Sequence, residues 1–146
     1  MKRFIDAQDS YGMYDVALQE IKDGLKRSHW IWFVFPQLKG FGRSYNSEYY
    51  GLNGVEEAKA YLEHPVLGIR LREITAALLS HGDKDVQAVM GSHIDAVKLL
   101  SCMTLFDAIT PQDVFGQVLD SFFGGKRDRR TLARVTGIDN TPKATL

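Results

Sequence analysis

Apolar residues in this chain recur mostly at intervals of three and four, the rhythm of helices that bury one face. Tyr14, Ala17, Leu18, Ile21 and Leu25 predict a helix from Tyr11 to about Asp23. Gly24 closes it, because glycine takes the left-handed C-terminal conformation cheaply. Phe4 to Ser10 reads as a lead-in, with Asp9 or Ser10 as the helix N-cap. Next comes the densest apolar block, Trp30-Ile31-Trp32-Phe33-Val34-Phe35, which Ser28 caps and Pro36 ends. It reads as a short buried helix and the central post of the core. A buried strand is the rival reading, since aromatic and β-branched residues favour strands too.

Leu38 to Asn53, rich in Gly, Ser, Tyr and Asn, is expected to be a long, packed, irregular loop. Gly54 starts a helix through Ala58, Tyr61 and Leu62, and His64-Pro65 resets the chain with Pro65 at a first helical position. Val66, Leu67, Ile69, Leu71, Ile74 and Leu78 make a strongly apolar helix that His81-Gly82 closes. Asp83 or Lys84 opens a short helix to Met90, Ser92 caps a long one from His93 to about Ala108, and Thr110 caps one over 111–123 with Pro111 at its first position. Asp128 caps a last short helix ended by Gly137. Together these predict an all-α protein: a single helical domain over residues 1–138, packed as an irregular orthogonal bundle of about seven short helices. A frayed tail is expected over 139–146.

Composition narrows the function classes. Eighteen basic and eighteen acidic residues cancel, so no global field draws nucleic acid or an anionic membrane. The dense basic run Lys126-Arg127-Asp128-Arg129-Arg130, with Arg134 beyond, reads as a solvated face, and nucleic acid is not the expected partner. No apolar run approaches the length of a membrane span, the N-terminus lacks the apolar segment of a secretion signal, and one cysteine, Cys102, allows no internal disulfide. A cytoplasmic protein is the expectation. His29, His64, His81 and His93 show no metal-binding spacing, so neither a metal nor a cofactor is expected.

Three features could carry chemistry. In Lys39-Gly40-Phe41-Gly42-Arg43-Ser44, Gly40 and Gly42 let backbone N–H groups turn inward as an anion-binding nest, to which Arg43 and Ser44 add donors. The bland alternative is a tight turn that needs glycine geometry. His29 falls at the first turn of the aromatic helix, where the dipole favours a neutral imidazole, suited to ligand contact or to simple packing on Trp32 or Phe33. Of the two tryptophans, one can line a pocket while the other fills the core. Lys98 and Ser101 share a stripe of the long helix with Asp95 and Cys102 amid apolar neighbours. A lysine so placed needs an anion, either Asp95 within the helix or a ligand.

The chain resembles the bacterial proteins catalogued as domain of unknown function 1810. The likeness runs through His29 to Leu38, Gly40, Gly42, Ser44, Ser47-Glu48-Tyr49-Tyr50-Gly51, Glu57 to Leu71, Lys98 to Phe106 and Asp128 to Leu132. It implies an all-helical single domain without an assigned activity. Cys102 stands where a second serine of that pattern is expected, which argues against an essential thiol. A fainter likeness, at Ser47-Glu48-Tyr49-Tyr50 and Lys59-Ala60, is to the NADAR family, which acts on ADP-ribose-type N-glycosidic compounds.

The leading expectation is a small anionic ligand (a nucleotide, an ADP-ribose-like compound or a sugar phosphate) in a pocket between the aromatic helix and the Lys98 helix. His29, Trp32, Gly40, Gly42, Arg43, Ser44, Glu48, Lys98 and Ser101 are the candidate contacts. One alternative is a protein-interaction module that uses the aromatics of the 38–53 loop. Another is an N-glycosidic hydrolase acting on ADP-ribose-type compounds, with Glu48 as its acid/base. Catalysis and oligomeric state stay open.

Overall fold

The structure is a computed structural model that describes residues 1–137. The tail expected over 139–146 lies outside the described residues. The chain is all-α, a single domain built from α1 (Lys2–Asp9), α2 (Met13–Asp23), α3 (Ile31–Val34), α4 (Tyr45–Tyr49), α5 (Val55–Glu63), α6 (Leu67–Leu79), α7 (Val86–Met90), α8 (His93–Ile109), α9 (Val114–Phe123) and α10 (Arg129–Thr136). No helix among the described residues is long and apolar enough to cross a membrane.

Two of these helices lie where irregular chain was expected. The first, α1, buries Phe4 together with Gln8, one turn further on. A polar residue on the inward face hides the period, because Gln8 is buried for its hydrogen bonds. Its amide donates to the Phe33 carbonyl at 2.8 Å and to the Tyr61 hydroxyl at 3.0 Å. The corner into α2 is sharp, with Tyr11 and Gly12 both in the left-handed region at φ 53° and 62°. Asp9 and Ser10 therefore do not cap α2. The second, α4, is a single turn inside the 38–53 segment, begun by Ser44, whose hydroxyl accepts from the Ser47 N–H. The two ends of that segment are tied by a parallel bridge between Leu38 and Leu52. Lys39 N–H donates to the Leu52 carbonyl at 2.8 Å and Leu52 N–H to the Gln37 carbonyl at 2.9 Å.

The aromatic block is a helix, as its first reading holds, and Trp30, Ile31, Phe33, Val34 and Phe35 are all buried. It is not the central post, however. That place belongs to α8, which packs against α3, α5, α7, α9 and α10 and is buried continuously from Ser101 to Phe106. Cys102 lies in this stretch, fully buried, and burial pushes its thiol well above the ordinary range.

Ser92 and Asp128 cap α8 and α10 as their sequence positions predict. Other caps differ because a better acceptor stands closer to the first turn. Asp113 replaces Thr110 at α9, so Pro111 lies in the preceding turn, and Asp85 opens α7. The His64 ring Nδ1 accepts from the Val66 and Leu67 N–H groups at the start of α6, where Pro65 precedes the helix. Ser28 does not cap the aromatic helix, whose N-cap is Trp30; its hydroxyl donates instead to Glu20 at 2.6 Å.

Candidate functional site

A groove opens where α3, α4, α8 and α10 meet. Its inner part is a slot of about 10 Å³ lined by Trp32 and Phe35 from the aromatic block, Asn46 and Ser47 from α4, Tyr50 just after it, and Lys98. A space of that size holds about one water molecule. The outer part is wider, about 170 Å³, and runs between Phe41, His93, Ile94, Val97 and Arg130. Gln37 and Lys98 belong to both parts, so they stand at the junction.

Lys98 lines this junction without a hydrogen bond or ion pair among the described residues. The intrahelical Asp95–Lys98 pair does not form. Asp95 turns to Lys26, at 2.8 Å, because Lys26 is almost wholly buried and needs the counter-charge more. The ammonium of Lys26 also donates to the Ser28 carbonyl and lies 4.8 Å from the Trp30 ring.

The two tryptophans divide as their spacing allows. Trp30 is buried, and its indole N–H donates to Glu20 at 2.9 Å. Glu20 also accepts from Ser28 and from the Arg27 and Ser28 N–H groups. Burial pushes the Glu20 carboxyl upward, but these hydrogen bonds, that of Ser28 foremost, outweigh it and bring the carboxyl down to about 2. Trp32 lines the slot, and its buried indole N–H finds no acceptor among the described residues. A donor-only group in that position is suited to an acceptor entering the slot. Burial, with Tyr49 and Tyr45 adding to it, pushes the Tyr50 hydroxyl upward, so the slot carries no negative charge from it.

Several sequence candidates stand elsewhere. Gly40, at φ 99°, and Gly42 flank Phe41 as a strap. The strap is held from α10: the guanidinium groups of Arg130 and Arg134 lie 4.6 and 5.4 Å from the Phe41 ring, and Arg134 donates to the Lys39 carbonyl at 2.8 Å. Gly42 is required for space, since a Cβ there would land on the Ser47 hydroxyl. Arg43 is exposed and Ser44 is occupied as a cap, so neither lines the groove. His29 is exposed ahead of the aromatic helix rather than in its first turn, and Glu48 is exposed on α4 outside the groove lining. Ser101 is buried and donates to Asp128 at 3.1 Å.

That last bond belongs to a knot that sequence reasoning missed. Asp128 accepts from Ser101 and from Thr131, while its own N–H donates to the Thr104 hydroxyl at 3.0 Å. The knot fixes the start of α10 on the middle of α8 and so presents Arg130 to the groove. Arg130 was concealed in the basic run, and only its place two residues after a helix-capping aspartate could have singled it out. Gln37 and Asn46 carried no signal in the sequence.

Among the described residues the lining of both parts contains cations and neutral amides but no carboxylate. Among the described residues no group of three or more His, Cys, Asp or Glu side chains gathers as a metal site. The arrangement is suited to holding an acceptor-rich anion.

A family model described as a protein of unknown function, DUF1810, matches residues 1–135. The crystal structure of the conserved hypothetical protein Rv1873 from Mycobacterium tuberculosis is similar, with 41% sequence identity and a TM-score of 0.87 over 92% of this chain and 95% of that one. No curated protein matches. With nearly its whole described length matched by the one and superimposed on the other, the chain belongs to the DUF1810 family.

Proposed function

We propose that the protein binds a small anionic ligand in the groove between the aromatic helix and α8. One observation supports this reading: Lys98 holds a charge at the junction of the groove with no hydrogen-bond or ion-pair partner among the described residues, and no described carboxylate lines either part. A partly buried charge without a counter-ion is a cost to folding that a ligand's anion would offset. The indole N–H of Trp32 supplies a second unmet demand nearby.

Size limits the candidates. The outer groove, about 170 Å³, is close to the roughly 150 Å³ of a cavity that encloses benzene. A sugar phosphate is of a size to sit in this open groove, whereas a nucleotide or an ADP-ribose-like compound would leave most of itself outside. The reading is tested by thermal unfolding with inorganic phosphate, sugar phosphates, nucleotides and ADP-ribose, on the wild type and Lys98→Met. A ligand at a hundred times its Kd adds about 2.7 kcal/mol, and that gain is expected to vanish in the variant. An equal shift in both proteins would remove Lys98 from the site, and no shift with any compound would remove the site.

A second reading rests on α4. Tyr45 and Tyr49 are 76% and 46% exposed, and their rings stack at 5.6 Å, almost parallel. Such a pair outside the core is suited to docking on another protein. It predicts that Tyr45→Ser with Tyr49→Ser abolishes partner capture while leaving ligand-induced shifts intact. The hydrolase reading gains no comparable support, because Glu48 does not line the groove.

A further inference from the structure

We infer that the anion is a phosphomonoester, clamped between Lys98 and Arg130, and that Ser101 and Asp128 act as positioning residues for that clamp. The inference rests on the anion-binding reading above and specifies its chemistry. Two cations reach the outer groove from different helices, the compact ammonium of Lys98 from α8 and the fork-shaped guanidinium of Arg130 from α10. Neither is closely neutralised among the described residues: Lys98 has no ion-pair partner there, and Arg130 has only a long contact, 3.8 Å from its Nε to Asp128. The other Asp128 oxygen is committed to Ser101 and Thr131.

A carboxylate ligand brings one negative charge and two oxygens in a plane. A phosphomonoester brings about −1.5 to −2 charge at pH 7 and three terminal oxygens in a tripod. The tripod matches the donors present: the Lys98 ammonium, the Arg130 fork, and the Gln37 side-chain amide, which makes no hydrogen bond within the described residues. Of the remaining walls, Phe41, Ile94 and Val97 are apolar and would face the ester carbons, with the His93 side chain beside them. Arg130 itself is half exposed and long, so its aim depends on what holds it. The Asp128 knot fixes the backbone from which it departs, and the Phe41 ring at 4.6 Å holds its guanidinium plane.

The test uses isothermal titration of the full chain with glycerol 3-phosphate and glycerate, which differ in the anionic group, and with inorganic phosphate. Glycerol 3-phosphate is expected to bind at least tenfold more tightly than glycerate. Lys98→Met and Arg130→Gln are each expected to lose tenfold or more. Ser101→Ala is expected to lose severalfold, and to lose nothing further in an Arg130→Gln background; a merely structural role for Ser101 would lower affinity equally in both backgrounds. Glycerate binding as tightly as glycerol 3-phosphate would overturn the phosphomonoester and leave the anion site standing. Full affinity in Arg130→Gln, with loss only in Lys98→Met, would overturn the clamp. Failure of all three compounds to bind would sink this inference; the anion site itself falls only if the wider panel is silent as well.

Discussion

Lys26 and Lys98 are both drawn in from the surface, and both were within reach of Asp95, yet they meet opposite fates. Lys26 is held by Asp95, by the Ser28 carbonyl and by the face of Trp30. Around it, Glu20 collects four hydrogen bonds from Arg27, Ser28 and Trp30. Every polar group there has an answer, and the cluster ties α2 and its following loop to the start of α8. Lys98, one turn along the same helix, is left with none among the described residues. The lesson is that a buried charge with full coordination is architecture, while a charge left uncoordinated in a groove without carboxylates is an invitation to something outside the chain.

The contrast breaks most visibly at Asp95. Asp95→Ala would strand the Lys26 charge, and its cost is expected near the lower end of the range for broken buried pairs, about 3 kcal/mol, because Asp95 keeps some solvent contact. For a domain of this length that corresponds to a fall in Tm of roughly 6–12 °C, measurable by calorimetry. Glu20→Gln is expected to cost about 2 kcal/mol at pH 7, since a neutral amide retains only some of the hydrogen bonds. The sign with pH follows from the direction of the shift. The folded carboxyl sits at about 2, below its ordinary 4.5, so its stabilisation is present above pH 4.5 and lost as pH falls toward 2. Urea titrations of both proteins between pH 7 and 2 should show the gap closing over that window, and a constant gap would show that Glu20 does not stabilise through its charge.

Gly91→Ala tests the same region through the backbone. Gly91 sits at φ 82°, and a Cβ there would come within 2.7 Å of the Lys26 carbonyl oxygen. The left-handed conformation alone costs a residue with a side chain about 1–2 kcal/mol, and a loss of that order is expected in denaturant unfolding. The smallest effect is the sharpest test. Lys98→Met is expected to change stability by no more than about 0.5 kcal/mol in either direction. If it destabilises the fold as much as Asp95→Ala does, Lys98 belongs to the architecture after all and the contrast collapses.

Much of the fold was legible because its signals are local. The three-and-four spacing gave α2, α5, α6, α8 and α9, and Ser92, Asp128 and Gly24 marked ends with their own side chains or conformations. What failed was whatever depended on a distant partner. Gln8 makes α1 look polar, although its amide is spent inside on Phe33 and Tyr61. The Asp95–Lys98 pair was correct by spacing and lost to Lys26, a residue nearly seventy positions away in sequence. The site followed the same division. Trp32 and Lys98 were named from their own segments and line the groove, but Gln37, Asn46 and Arg130 reach it only through the Leu38–Leu52 bridge and the Asp128 knot.

The lone thiol gives the molecule a built-in clock. Cys102 is sealed in the middle of α8, with its thiol held in the protonated, unreactive form. A maleimide or a disulfide reagent can reach it only when helices part from around α8. At high reagent concentration the alkylation rate therefore reports how often the core opens, and at low concentration it reports the free energy of that opening. Because the thiol stands apart from the groove, the same reading taken with and without glycerol 3-phosphate would show whether a ligand at Lys98 slows the opening of the whole core.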